Sequence, residues 1–147
     1  MDKLSELQVE AKEDLIIFDG INDEDLHQQS YKNQIIKPKW LDYKSKYRML
    51  TFQLKADHRR LYREKWEYYG GKATNKIYIA KPFDIKVLKT DLGVYISSDD
   101  DIIDIELKIE YYETLVQFIE GVIKSIDNRS WDIKHAQDWK KFLAGSF

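Results

Sequence analysis

The sequence predicts an all-α, self-assembling protein in which long helices form a helical hairpin or bundle, interrupted by a loop-rich insertion at about residues 72–98. Three observations predict it. Residues 39–69 contain neither glycine nor proline. Ile102, Ile105, Ile109, Tyr112, Val116, Ile119, Ile123 and Ile126 repeat at alternating steps of 3 and 4, the spacing of a helical seam held for more than three heptads. Between these stretches the apolar period breaks down and Pro82 and Gly93 intervene. A chain of 147 residues suits one domain, 1–147, with a modest core.

Taken in order, residues 3–18 place Leu4, Leu7, Ala11, Leu15 and Phe18 on one face of an amphipathic helix. "DGINDED" (19–25) breaks it and supplies short acidic side chains that accept from unpaired N–H groups of the next helix. A short helix is predicted over 24–35. Pro38 disfavours helix at Lys37 but suits the first turn of a new one. One long helix is therefore expected from Lys39 to Tyr69, about 45 Å at 1.5 Å per residue. Trp40, Tyr43, Tyr47, Leu50 and Leu54 form its seam, and Leu61 and Tyr68 continue it with Asp57 and Glu64 at the alternate positions. The helix should be packed at its start and exposed at its end. Gly70-Gly71 ends it.

The insertion predicts a loop with a short extended piece at "KIYIA" or "IKVL". Ser98 is expected to cap the next helix, with Asp99, Asp100 and Asp101 in its first turn. Leu115, Phe118 and Val122 widen the 102–126 seam. β-branched residues at both seam positions disfavour a two-stranded coil. The eight seam residues are therefore assigned to an oligomer interface, the alternative being an intramolecular bundle with the 40–54 seam. "DNRSW" should break the helix, leaving a last short one over Trp131–Ala144 with Gly145 past its end.

The net charge of −2 conceals a polarity. Residues 1–31 carry 2 basic and 9 acidic side chains, residues 32–89 carry 16 and 5, and residues 90–147 carry 6 and 12. A basic middle between acidic ends points to a polyanion partner, or to acidic faces of the same or neighbouring chains. The chain has no cysteine, which excludes disulfides and thiolate metal sites and suits a reducing cytosol. No apolar run approaches a membrane span, and the charged N-terminal stretch does not read as a secretory signal.

An enzyme needs convergent reactive groups. His27, His58 and His135 lack ligand spacing, "GGKAT" lacks the first glycine of a phosphate loop, and the 99–101 acids lack the alternating ligands of a calcium loop. The sequence predicts no catalytic residues, no metal and no cofactor. It does gather cations and rings in "HRRLYREKWEYYGGK" (58–72). On a helix Arg59 and Arg63 are one turn apart and Trp66 continues their face, while Tyr62 is also one turn from Trp66. Cations bind phosphates without reading sequence, and rings stack on bases that only a single strand displays. Arg59, Arg60, Tyr62, Arg63, Lys65, Trp66 and Lys72 are therefore the candidate contacts to single-stranded nucleic acid.

"REKWEYYGG" (63–71), "LKTDL" (88–92), "SDDD" (98–101), "FIEG" (118–121), Ile126-x-x-Arg129 and "IKHAQDWKKFLAG" (133–145), with "KWL" at 39–41, resemble in order and spacing the UvsY family of phage recombination mediators. The resemblance runs from about residue 39 to the end, with a looser match over 4–14. It implies a non-enzymatic, ring-like homo-oligomer in the cytoplasm of an infected host cell. Such a protein binds single-stranded DNA and helps load a RecA-like recombinase onto strands covered by single-strand-binding protein. By position, Arg63 and Lys65 correspond to that family's paired basic residues for DNA binding. Lys72, Lys76, Lys81, Lys86 and Lys89 have no counterpart in the pattern. The rival reading is a helical scaffold or assembly protein without nucleic-acid binding, its basic block docked on another subunit's acidic face.

Overall fold

A computed structural model describes residues 2–16 and 23–145. Among them the chain forms five helices and no strand: α1 (Lys3–Leu15), α2 (Asp23–Tyr69), α3 (Asn75–Ala80), α4 (Leu92–Ser97) and α5 (Asp100–Leu143). Asp2 caps α1, its carboxylate accepting from the Ser5 N–H at 2.7 Å. Phe18 and most of the expected 19–25 break lie outside the described residues.

Two predicted breaks are absent. The 24–35 and 39–69 helices are one, with Pro38 inside α2. The proline removes one ladder hydrogen bond, but it stands on an exposed face while Ile36 and Trp40, one turn apart, are both buried. Packing on the opposite side carries the helix through. Likewise α5 runs through "DNRSW" to Leu143. Ile126, Arg129 and Ile133 are all buried, so the 3-and-4 spacing outlasts the isoleucine repeat with an arginine as one member.

The insertion also differs from expectation. "KIYIA" is helical, as α3, and "IKVL" lies in irregular chain. Ser98 ends α4 rather than starting α5: its hydroxyl donates to the Val94 carbonyl at 2.6 Å. Asp99 is the cap of α5, its Oδ1 accepting from the Asp101 N–H at 2.9 Å. Asp100 and Asp101 in the first turn and Lys140 and Lys141 in the last complement the helix dipole. No helix among the described residues is long and apolar enough to cross a membrane.

The chain divides into two compact units, Met1–Tyr47 with Leu115–Phe147, and Arg48–Thr114. In the first, the core comprises Leu7 and Ala11 of α1, Leu26, Ile36, Trp40 and Tyr47 of α2, and Leu115, Ile119, Val122, Ile126 and Ile133 of α5. Trp40 is fully buried, edge-on to Tyr43 and Phe118, and its indole N–H donates to Asp14 at 2.9 Å. Lys39 bridges Asp14 at 2.6 Å and Glu10 at 2.9 Å. Ion pairs Lys37–Asp127 (2.7 Å) and Lys44–Glu120 (3.6 Å) mark α2 and α5 as antiparallel here.

Arg129 ties three elements of this unit together. It donates to the Gln29 carbonyl at 2.8 Å, to the Ile16 carbonyl at 3.3 Å, and to the side chains of Asn33 and Gln29. Burial holds its pKa below the usual value, with Asp14 opposing.

In the second unit Leu92, Ile96 and Ile102 form a buried cluster against Leu61, Tyr69 and Val87. Beside it lies a ring cluster of Tyr68, Tyr69, Tyr78, Phe83 and Tyr95. Lys55–Glu113 (2.7 Å), His58–Glu106 (3.1 Å) and Lys65–Asp101 (2.7 Å) again run antiparallel.

Of the eight residues assigned to an oligomer interface, Ile102, Ile119 and Ile126 are buried inside the chain itself. Ile102 packs with Leu92 and Ile96, and Ile119 and Ile126 stand in the core of the first unit. Ile105, Ile109, Tyr112, Val116 and Ile123 are half-buried.

Candidate nucleic-acid interface

The candidate site is built on the last six turns of α2 and the turn that ends it. Residues 48, 52, 59, 63 and 66 fall within about 60° of one another around a helix of 3.6 residues per turn. The chain places Arg48, Phe52, Arg59, Arg63 and Trp66 there, and all five are exposed. At 1.5 Å per residue the stripe spans about 27 Å. The opposite side of the same segment carries Leu61 and Tyr68, which face the core. The apolar seam thus fixes which way the cations point.

Each end of the stripe is a cation over a ring. The Arg48 guanidinium lies 5.6 Å from the Phe52 centroid, and the Lys72 ammonium 4.3 Å from the Trp66 centroid. The second pair depends on the helix stop. Gly71 adopts φ +74°, the left-handed conformation that glycine enters without a Cβ clash. Its N–H donates to the Tyr68 carbonyl at 3.3 Å, and the Lys72 N–H to the Glu67 carbonyl at 2.8 Å. These are the two bonds of a Schellman turn. The Tyr78 hydroxyl then donates to the Tyr68 carbonyl at 2.7 Å, covering a helix-end acceptor from α3. The chain is thereby folded back so that Lys72 overlies Trp66.

Gly70 has a separate constraint. A Cβ there would stand 2.8 Å from the Trp66 carbonyl oxygen.

The predicted contacts divide between two environments. Arg63 is 83% exposed and pairs with its helix neighbour Glu67 at 3.3 Å. Arg60 is exposed, paired with Asp57 at 3.1 Å, and lies to one side of the stripe. Tyr62 is exposed on the other flank, beside His58. Surface pairs of this kind contribute little and yield readily to a phosphate.

Lys65 is different, and the expectation of an exposed cation there is corrected. Its side chain is 12% exposed, with the ammonium 2.7 Å from Asp101 and 3.3 Å from Asp99. Burial lowers its pKa, and the two carboxylates outweigh that and raise it. The Tyr69 hydroxyl donates to Asp99 at 2.6 Å. Burial and that carboxylate push the Tyr69 pKa well up. Asp99 itself is raised by burial but held below its ordinary value by the bonds from Tyr69, the Asp101 N–H and Lys65. Lys65 therefore helps to lock α2 onto the start of α5.

Arg48 and Phe52 were not among the sequence candidates. The cation–ring spacing of i to i+4 was the available signal, but it falls ten residues before the dense basic stretch.

The family described as recombination, repair and ssDNA binding protein UvsY matches residues 10–146. The recombination protein uvsY of enterobacteria phage T4 is 24% identical over 143 residues, covering 97% of this chain and 98% of the relative. Crystal structures of the bacteriophage T4 recombination mediator protein UvsY share the fold. One superimposes with a TM-score of 0.83 at 24% identity, covering 98% of this chain and 99% of that one. Another gives 0.79 at 22%, covering 97% and 99%. The chain belongs to the UvsY family, the recombination, repair and single-stranded-DNA-binding proteins.

Proposed function

We propose that this chain is a recombination mediator that grips single-stranded DNA along the exposed face of α2. Arg48, Arg59 and Arg63 contact phosphates, Phe52 and Trp66 offer rings to unstacked bases, and Lys72 reinforces Trp66. Arg60 and Tyr62 flank the strand. The observation that carries the reading is the juxtaposition of exposed cations and rings on one helix face, in a family described by single-stranded-DNA binding. Ring stacking is available to single strands and denied to a duplex, which sets the substrate class.

One such face binds weakly. Copies assembled into a ring through the half-buried part of the 102–126 seam would present many faces to one strand, and linkage raises avidity steeply. A strand held across several subunits is bent and its coating single-strand-binding protein loosened, which opens it to a RecA-like recombinase. The work is binding and remodelling, without catalysis, in the cytoplasm of an infected cell.

A salt titration of a labelled oligonucleotide tests this. Tight binding at low salt and a steep negative log–log slope are expected. The slope should flatten by about 1.4 in Arg59→Ala/Arg63→Ala, at about 0.7 per phosphate contact on a single strand. Absence of binding at low salt would instead support the scaffold reading.

A further inference from the structure

Among the described residues, two surfaces of the second unit are exposed, and they match in charge. The first is a groove of about 480 Å³ along the first half of α5. Ile103 and Leu107 line it together with the carboxylates Glu106, Glu110 and Glu113. Among the residues that line it, Lys55 and His58 answer them by pairing with Glu113 and Glu106, and the carboxylates outnumber the cations.

The second surface is the arm from Lys72 to Lys89. It exposes Ile79, Ile85 and Leu88 among Lys76, Lys81, Lys86 and Lys89. Its rings are turned inward: Tyr78 stacks on Tyr68, and Phe83 packs against Tyr68, Tyr69 and Tyr95. The outer surface of the arm is therefore aliphatic and cationic, with no ring on which a base can stack. That composition suits an acidic–apolar protein groove better than a nucleic acid. The arm does not lie on its own groove, because Ile79 remains 82% exposed and Leu107 63%.

We infer that the arm of one copy seats in the α5 groove of the next, its aliphatic residues covering Ile103 and Leu107 and its lysines facing Glu106, Glu110 and Glu113. The occupant is a second copy because this chain carries both complementary surfaces, and because exposed aliphatics on both sides need cover. A contact between different patches is heterologous and closes into a ring when its rotation allows. The inference rests on the proposed homo-oligomer and adds to its seam contact a second contact, on another face of α5.

The chain has no cysteine, which makes disulfide trapping clean. Under mild oxidation, Ile79→Cys/Leu107→Cys should form a covalent ladder of several subunits. A mixture of the two single variants should stop at dimers, and neither single variant should cross-link alone. Lys81→Glu/Lys86→Glu added to the double variant should abolish the ladder. Light scattering on the same samples separates the two failures. A multimeric particle without a ladder overturns the arm contact and leaves the assembly intact, whereas a lone protomer removes both. Dimers from Leu107→Cys alone overturn the inference in favour of a groove-to-groove contact. Loss of oligonucleotide binding in Lys81→Glu/Lys86→Glu, with no ladder in the parent, overturns it in favour of DNA on the arm.

Discussion

Lys72 holds its ammonium 4.3 Å from the centre of the Trp66 ring, although the helix ends between them. The cation polarises and shields one face of the indole while the residue as a whole stays 40% exposed. A base that stacks there meets a ring already fixed in place. Trp66→Ala should weaken oligonucleotide binding by about 1–3 kcal/mol, and Trp66→Phe by less. Lys72→Met should cost about 0.5–1 kcal/mol through the lost cation–ring contact. Fluorescence anisotropy reads both, and unchanged circular dichroism shows that the helix persists. Equal binding by Trp66→Ala and the parent protein would remove the stacking role.

On the proposed mode of binding, the same pair makes a turn glycine a binding determinant. Gly71 at φ +74° lets Lys72 donate back to Glu67. Gly71→Val should cost about 1–2 kcal/mol of stability, because a β-branched residue strongly resists the left-handed region. It should also weaken oligonucleotide binding about as much as Lys72→Met. Gly71→Asn, which enters that region more easily, should retain most of both. Chemical denaturation and anisotropy measured on one preparation check the coupling.

How far the sequence disclosed this arrangement depends on the range of the interactions. Periodic burial within one helix was legible, so both long seams and the glycine stop at Gly70-Gly71 were read from spacing alone. Breaks judged from local propensity failed at Pro38 and at "DNRSW" (127–131), because Trp40, Arg129 and Ile133 are held from elsewhere in the chain. In the site, Arg59, Arg63 and Trp66 could be placed on one face by counting. Lys65 could not be told from its neighbours, since its partner Asp101 comes 36 residues later. Arg48 and Phe52 were missed because two residues in isolation do not register as a cluster.

Lys65 and Arg63 should respond oppositely to truncation. Lys65→Met leaves a buried acceptor without its cation, at about 1–3 kcal/mol, or a few °C of melting temperature for a chain of this size. It should leave the salt slope of oligonucleotide binding unchanged. Arg63→Ala should leave the melting temperature within about 1 °C and flatten the slope by about 0.7. A flattened slope in Lys65→Met would return that lysine to the DNA.

The lock formed by Tyr69, Asp99 and Lys65 also sets limits of pH. Asp99 is held below its ordinary 3.8 in the fold, so its contribution is present above that value and lost as pH falls toward the folded pKa. Tyr69 and Lys65 are raised above 10.0 and 10.5. Their contributions are present below those values and lost as pH rises toward the folded ones. Stability should therefore be flat with respect to this lock between about pH 5 and 9 and fall on both sides. Tyr69→Phe should reduce the loss on the alkaline side. Urea midpoints across pH 3–11 read the effect.

Arg129 is the remaining long-range tie, and its removal should be costly. Its guanidinium is buried and donates to groups at residues 16, 29 and 33. Arg129→Ala leaves a cavity and several acceptors without their donor, which together should destabilise by about 3–5 kcal/mol. Arg129→Met fills most of the space and removes a buried charge, so it should cost less, about 1–3 kcal/mol. Because the site lies in the second compact unit and Arg129 in the first, oligonucleotide binding by folded Arg129→Met at low temperature should match the parent protein. An intact urea midpoint in Arg129→Ala would show that the tie contributes nothing. A weakened affinity in folded Arg129→Met would mean that the first unit takes part in binding.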